Sequence, residues 1–216
     1  MAATSTTVPQ VFVIGGANID IQGQSSAVFR GGDSNPGRIG TAFGGVGRNV
    51  AEACLRLGLE VRLITVFGGD PEGERMEADC RAKGMDTGWS LRWEGPSARY
   101  LCALDADGSL VGAVADMEAL DALVPGHLES AAKDLDKAFC IVADTNIPAT
   151  SLAWLCRRYG RLGGTLKDAT RPLLFLDTVS EAKAVKALGL FGEFDCVKPN
   201  MGEALIMAAK RWPPET

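Results

Sequence analysis

Hydrophobic residues come in short blocks set off by glycine-rich punctuation, and the blocks change character about halfway along the chain. Val11-Phe12-Val13-Ile14 is an apolar run closed by Gly15-Gly16, the pattern of a buried strand feeding a tight turn. From Asn18 to Phe43 the chain is rich in Gly, Ser and Asn, with short β-like pieces at Ile19-Asp20-Ile21 and Ala27-Val28-Phe29. A stretch this long with little regular structure is usually a lid or a binding loop. Gly44-Gly45-Val46-Gly47 then opens a helix whose apolar face is Val50, Ala53, Cys54 and Leu57, closed by Gly58. Residues 61–67 read as one strand and 72–83 as a helix with a charged outer side. Residues 97–104 and 109–115 read as a hairpin turning at Asp107-Gly108.

After that hairpin the grammar becomes strict. Strand patterns at 139–143, 173–176 and 195–198 alternate with helix patterns at 151–159, 181–188 and 201–210. Such alternation calls for an α/β fold, a parallel sheet covered by helices. The last strand–helix unit, followed only by Trp212-Pro213-Pro214-Glu215-Thr216, reads as the middle of a domain rather than its end.

Composition narrows the chemistry. Of 216 residues 46% are hydrophobic and 23% charged, the balance of a soluble globular protein. Lys and Arg number 22 against 27 Asp and Glu, and the net charge of −5 argues against nucleic acid as the main partner. No apolar run reaches the roughly 18 residues of a membrane span, and residues 1–10 lack the layout of a signal peptide and are expected to be flexible. Six cysteines form no Cys-x-x-Cys pair and His127 is the one histidine, so zinc sites and histidine-based triads are not expected. Buried, reduced thiols in a cytoplasmic protein are the expectation instead.

Two polar clusters remain. No Gly-Lys pair occurs, so there is no P-loop, and the cluster at Gly44–Asn49 misses the last glycine of a dinucleotide fingerprint, where Val50 stands. Asn18 and Asp20 lie two apart and hence on one face of an extended segment. With the bare backbone of Gly44 and Gly45 and the amide of Asn49, they suit the hydroxyls of a polyol or ribose. At the far end, Lys198-Pro199-Asn200-Met201-Gly202-Glu203 follows a strand, where α/β sheets bind ligands. Asn200 and Glu203 could hold a hydrated magnesium ion beside phosphates, or form a helix cap, for which the spacing is equally good.

These pieces, in this order from Val11 to about Lys210, resemble the ribokinase-like (PfkB) family of carbohydrate and nucleoside kinases. The family's Gly-Gly-x-x-x-Asn helix start stands as Gly44–Asn49 and its Asn-x-x-Glu motif as Asn200–Glu203. Gly16–Asp20, Asp33-Ser34-Asn35-Pro36-Gly37, Arg48, Asp116-Met117 and Ala143-Asp144-Thr145-Asn146 are most similar to its pseudouridine kinases. The resemblance implies a ribokinase-like three-layer sandwich with a mainly parallel central sheet, spanning 11–216, and a small β lid from about 18–43 and 97–115. It implies that Asn18, Asp20, Gly44, Gly45, Asn49 and Asp116 bind a nucleoside or sugar. Lys198, Asn200 and Glu203 would bind ATP and Mg²⁺, with Glu203 nearest the metal, and a homodimer would form through the lid. The reaction implied is transfer of the γ-phosphoryl group of ATP to the ribose 5′-hydroxyl of pseudouridine. Another sugar or nucleoside kinase of the family, or a binding module without catalysis, stands as the alternative. The family's catalytic base lies in a Gly-Ala-Gly-Asp helix start; no such sequence occurs here, the only Gly-Asp pairs being Gly32-Asp33 and Gly69-Asp70. The expectation is a fold truncated at its C-terminus, the nucleoside-binding half of a kinase, with little or no activity of its own.

Overall fold

A computed structural model describes residues 8–166 and 171–211. Strand β1 (Gln10–Ile14) leads to β2 (Asn18–Ser25), β3 (Gly37–Gly44) and helix α1 (Val46–Arg56). Then come β4 (Glu60–Ile64), β5 (Val66–Gly68), α2 (Pro71–Ala82), β6 (Leu91–Trp93), β7 (Arg99–Leu104) and β8 (Leu110–Asp116). Short helices α3 (Pro125–Ser130) and α4 (Ala132–Leu135) precede β9 (Cys140–Asp144) and α5 (Ala149–Tyr159). The chain continues through β10 (Leu173–Asp177), α6 (Glu181–Ala184), β11 (Cys196–Lys198) and α7 (Met201–Arg211).

Five strands form a parallel sheet in the order β11-β10-β9-β1-β4. Its two faces follow from the period of two along β1. Val11 and Val13 join Ala51, Val61, Leu63, Met76 and Cys80 in one core against α1 and α2. Phe12 and Ile14 join Leu128, Leu152, Leu155 and Tyr159 in the other, against α3 and α5. The result is three layers, helices on both faces of a buried sheet.

The Gly- and Ser-rich stretch after Ile14 departs from the irregular loop its composition predicts. It forms two eight-residue strands, β2 and β3, in antiparallel register from Asn18↔Gly44 to Ser25↔Gly37. Parallel pairing of β2 with β7 and the β7–β8 hairpin complete a separate four-stranded sheet, β3-β2-β7-β8. Backbone pairing across four strands supplies the regularity that the side chains of β2 and β3 do not signal. The stretch 61–67 is two strands rather than one. At Thr65 the chain leaves the main sheet, its N–H donating to Ser90 Oγ at 3.1 Å, and β5 pairs with β6 in a sheet of its own. The helix expected over 181–188 is α-helical only to Ala184 and tightens into a 3₁₀ turn over Val185–Ala187. Residues 1–7 and 212–216 lie outside the described residues, and with them most of the segment expected to be flexible. No helix among the described residues is long and apolar enough to cross a membrane.

Where the last strands enter the sheet, Asp195 joins them. Its carboxylate takes Arg171 Nη1 at 2.8 Å, Nη2 at 2.6 Å and the Leu174 N–H at 2.7 Å. The Arg171 guanidinium, helped by that N–H, holds the Asp195 carboxyl below its ordinary range despite partial burial. A carboxyl depressed in the folded state stabilises fully above its unfolded value of about 3.9 and loses that contribution as pH falls through the lower folded value. Urea midpoints measured from pH 7 down to pH 2.5 should therefore fall less steeply for Asp195→Asn than for the unaltered protein, the difference appearing below about pH 4.

Candidate active site

Carboxyl ends of β1, β9, β10 and β11 gather at one edge of the main sheet, with the amino end of α1 beside them, and the predicted site residues lie there or at the root of the lid. At the centre is Asp144, the last residue of β9, which is 2% exposed. Its Oδ2 accepts N–H bonds from Gly16 and Gly47, both at 2.8 Å, and its Oδ1 accepts the Asn146 N–H at 2.8 Å. One carboxylate thus ties the β1–β2 turn, the first turn of α1 and the end of β9. Burial pushes this carboxyl above its ordinary range, while the three N–H groups pull it back down.

The lid strand β2 leaves directly from that staple. Asn18 is buried, and its Nδ2 donates to Asp20 Oδ1 at 2.6 Å. Asn18 is in register with Gly44, and the Asp20 carboxylate fills the space where a Cβ on Gly44 would stand. Gly45 caps α1 at φ 98°, a conformation open to glycine, and a Cβ there would also collide with the Gly16 carbonyl. The structure therefore brings Asn18, Asp20, Gly44 and Gly45 together as one polar patch at the amino end of α1. Asn49 stands in the same first turn, exposed, with Oδ1 accepting from Arg48 Nη1 at 3.1 Å. A cavity of about 380 Å³ opens from Asp20 along Gln22, Gln24 and Arg38.

Asp116 does not join this patch. It ends β8 in register with Arg99, which is in register with Ile19, whereas Asp20 is in register with Tyr100. Side chains alternate across a sheet, so Asp116 occupies the face opposite Asp20. Arg48, too, has other work. Its guanidinium is buried and pairs with Asp79 at 2.9 Å and Glu52 at 3.1 Å, fastening α1 to α2. Asn35 holds its own loop, accepting the Arg30 N–H at 2.8 Å and donating to the Arg30 and Asp33 carbonyls.

At the far end the helix-cap geometry is the one formed. Asn200 Oδ1 accepts the Glu203 N–H, and Glu203 in return accepts the Asn200 N–H and Nδ2, all at 2.9 Å. The Thr178 hydroxyl donates to the same carboxylate at 2.5 Å, leaving Glu203 4% exposed. Lys198 ends β11, exposed, with Nζ 3.5 Å from Asp177 Oδ2. Among the described residues no three His, Cys, Asp or Glu side chains converge on a metal position. Magnesium carried on nucleotide phosphates needs only one or two carboxylates and keeps its waters. Asp177, at the end of β10, and Glu203, in the first turn of α7, fit that modest demand.

Sequence reasoning overlooked Lys183, whose Nζ donates to Asn146 Oδ1 at 2.5 Å, and Lys186, which reaches the carbonyls of Asn146 and Ile147 at 3.4 and 3.3 Å. Their spacing of three on a charged stretch is that of an ordinary wet helix face, so no local signal sets them apart.

The sequence profile of the pfkB family carbohydrate kinases matches residues 8–214. The chain belongs to that family. A pseudouridine kinase of Escherichia coli is 33% identical over 195 residues, 90% of this chain and 59% of the relative's length. A carbohydrate kinase from Agrobacterium tumefaciens superposes with a TM-score of 0.78 at 31% identity, covering 93% of this chain and 64% of the other. An Arabidopsis thaliana ribokinase, solved with ribose and ATP, has the same fold, with a TM-score of 0.72 at 16% identity. It covers 93% of this chain and 63% of its own. The ribokinase-like three-layer fold is thus established, while the chain spans only about half to three-fifths of the length of the curated relatives it matches.

Replacing Asp144 by Ala orphans three buried N–H groups at about 1–3 kcal/mol each. Chemical denaturation should show a loss of at least about 3 kcal/mol, with Asp144→Asn intermediate because an amide offers a single acceptor atom.

Proposed function

We propose that this pfkB-family chain forms the substrate-binding portion of an ATP-dependent kinase. The proposed reaction phosphorylates the ribose 5′-hydroxyl of pseudouridine to give pseudouridine 5′-phosphate. The observation that carries the reading is the Asp20 carboxylate, oriented by buried Asn18 and lying against Gly44 at the amino end of α1. A carboxylate can accept hydrogen bonds from two hydroxyls at once, which suits the vicinal hydroxyls of a ribose, and the absence of a side chain on Gly44 is what lets the Asp20 carboxylate sit there. Asn49 offers its exposed amide from the same turn. Asp116 takes no part, being on the other face of the lid. The choice of pseudouridine among sugars and nucleosides is supported by likeness to the Escherichia coli pseudouridine kinase.

Lys198 and the box of Asn200 and Glu203 are assigned to the nucleotide side. Both Glu203 oxygens are engaged inside the box, so it would meet a hydrated magnesium ion through water. The metal would neutralise phosphate charge, and positioning would supply most of the rate. None of the three carboxylates nearest the site offers itself as a base. Asp144 is saturated by N–H groups, Asp20 is held by Asn18, and Asp177 takes the Val179 N–H at 2.9 Å. We therefore assign the 216-residue chain binding without turnover. The proposed partner is a second copy of the chain on the outer lid face, where Ile39, Leu101 and Val114 are exposed. The free cysteines accord with a cytoplasmic setting.

Calorimetry with pseudouridine, uridine and ribose tests the reading. Pseudouridine should bind most tightly, and Asp20→Ala should weaken it at least tenfold, a change of about 1.4 kcal/mol. Failure of the folded chain to bind any of the three would overturn the assignment. Incubation with Mg-ATP and pseudouridine, read by mass spectrometry, should yield no monophosphate; product formation would place the base on a carboxylate inside this chain. Light scattering should report a dimer that Leu101→Glu converts to monomer.

A further inference from the structure

Two lysines beside the carboxyl end of β9 have no carboxylate within ion-pair distance among the described residues. Lys183 lies in α6 and Lys186 in the 3₁₀ turn that follows, three residues apart and so on one side of the coil. Both ammonium groups point at the carboxyl end of β9, and every oxygen they meet there is neutral. Lys183 Nζ meets the Asn146 side-chain carbonyl at 2.5 Å, and Lys186 Nζ meets the main-chain carbonyls of Asn146 and Ile147. Among the described residues neither forms an ion pair, in a chain whose other lysines and arginines form many. Lys183 is half-buried, an expensive place to keep an ammonium whose neighbour carries the same charge.

Their position is as informative as their isolation. Asn146 is buried, and its Nδ2 occupies the space where a Cβ on Gly16 would stand. Gly16 begins the turn that delivers Asn18 and Asp20, so the lysines touch the back of the proposed ribose site through one amide. On their other side, Thr178 and Ser180 connect α6 to β10 and to the Asn200–Glu203 box. The two positive charges stand at the seam between the sugar side and the nucleotide side.

We propose that Lys183 and Lys186 form an anion site for the polyphosphate of the nucleotide, with Lys183 meeting the phosphoryl group as it passes to the ribose. This deepens the kinase reading and rests on it. A family member without a P-loop lysine still has to neutralise a phosphoryl group in transit, and a fixed ammonium does so without reorganising at the moment of transfer. Asn146 acts as a placeholder, its carbonyl oxygen holding Lys183 until a phosphate oxygen replaces it. Burial draws the Lys183 ammonium below its ordinary range while the Asp144 charge partly restores it, and an arriving phosphate would restore it further.

The test uses sodium tripolyphosphate, with and without magnesium, on the 216-residue chain. Adenosine serves as a phosphate-free control and pseudouridine as a control for the sugar side. Calorimetry should show micromolar to millimolar tripolyphosphate binding that Lys183→Met with Lys186→Met weakens at least tenfold. Lys183→Arg should retain most of it, and pseudouridine affinity should stay within twofold throughout. Side-chain NMR of the unaltered protein gives a second readout, in which tripolyphosphate should shift the Lys183 ammonium resonance. No shift there, no tripolyphosphate binding by the unaltered chain, or equal binding by the double variant would each overturn the proposal. Loss of pseudouridine binding with tripolyphosphate binding intact would refute the nucleoside reading instead.

Discussion

Burying a carboxylate is unfavourable unless hydrogen bonds replace its water, and Asp144 makes the site depend on how that is done. Backbone N–H groups of Gly16 and Gly47, both distant in sequence, and of Asn146, two residues on, converge on it. Two of the donors lie in turns, and the third, Gly47, in the uncapped first turn of α1. The β1–β2 turn is Gly15-Gly16, α1 begins with a glycine that offers no side-chain cap, and β9 has just ended. The carboxylate substitutes for the missing cap and fixes the angle at which the lid strand leaves the body. The polar patch of Asn18, Asp20, Gly44 and Gly45 flanks the two N–H groups that this carboxylate holds.

Much of this architecture was legible in advance where local pattern and tertiary role agree. Apolar blocks such as Val11–Ile14 are buried on both faces, and a strand buried on both faces reads as a continuous apolar run. The Asp107-Gly108 turn was readable because its geometry demands those residues, with Gly108 at φ 87°. The lid strands β2 and β3 were not, because β3 is almost wholly exposed and carries no alternation to detect. In the site, Asn18, Asp20 and the Gly44–Gly45 pair could be grouped because they are close along the chain or flank one register. Asp116 was misplaced because its face depends on a cross-strand register that no local feature reveals. Asp144 and Lys183 act through contacts 128 and 37 residues away in sequence.

The two ends of the site are built on different physical terms. The sugar side is open, with exposed amides, a carboxylate and a lid whose inner groove keeps Gln22 and Arg38 in water. The nucleotide side is already internally paired, since Asn200, Glu203 and Thr178 satisfy one another in a closed box. A paired box sets the direction of α7 whether or not a nucleotide is present. An open polar patch exchanges its hydrogen bonds with water for those of a ligand, so on the proposed reading selectivity would belong to the Asp20 patch and rigidity to the Asn200–Glu203 box.

Between them lies a constrained turn. Val179 is the one described residue other than glycine with positive φ, at 60°, and a β-branched side chain there costs on the order of 1–3 kcal/mol. The surroundings over-determine it. Asp177 Oδ1 accepts the Val179 N–H, the Thr178 carbonyl accepts the Thr145 hydroxyl at 2.7 Å, and the Thr178 hydroxyl is held by Glu203. Threonine matters at position 178 because its hydroxyl reaches the box. With the hydroxyl in place, β9, β10 and α7 meet at one residue, and the strained turn that follows directs α6 back toward Asn146. From α6, Lys183 reaches Asn146, whose own N–H is held by Asp144, so the strained turn lies on the path that links the three.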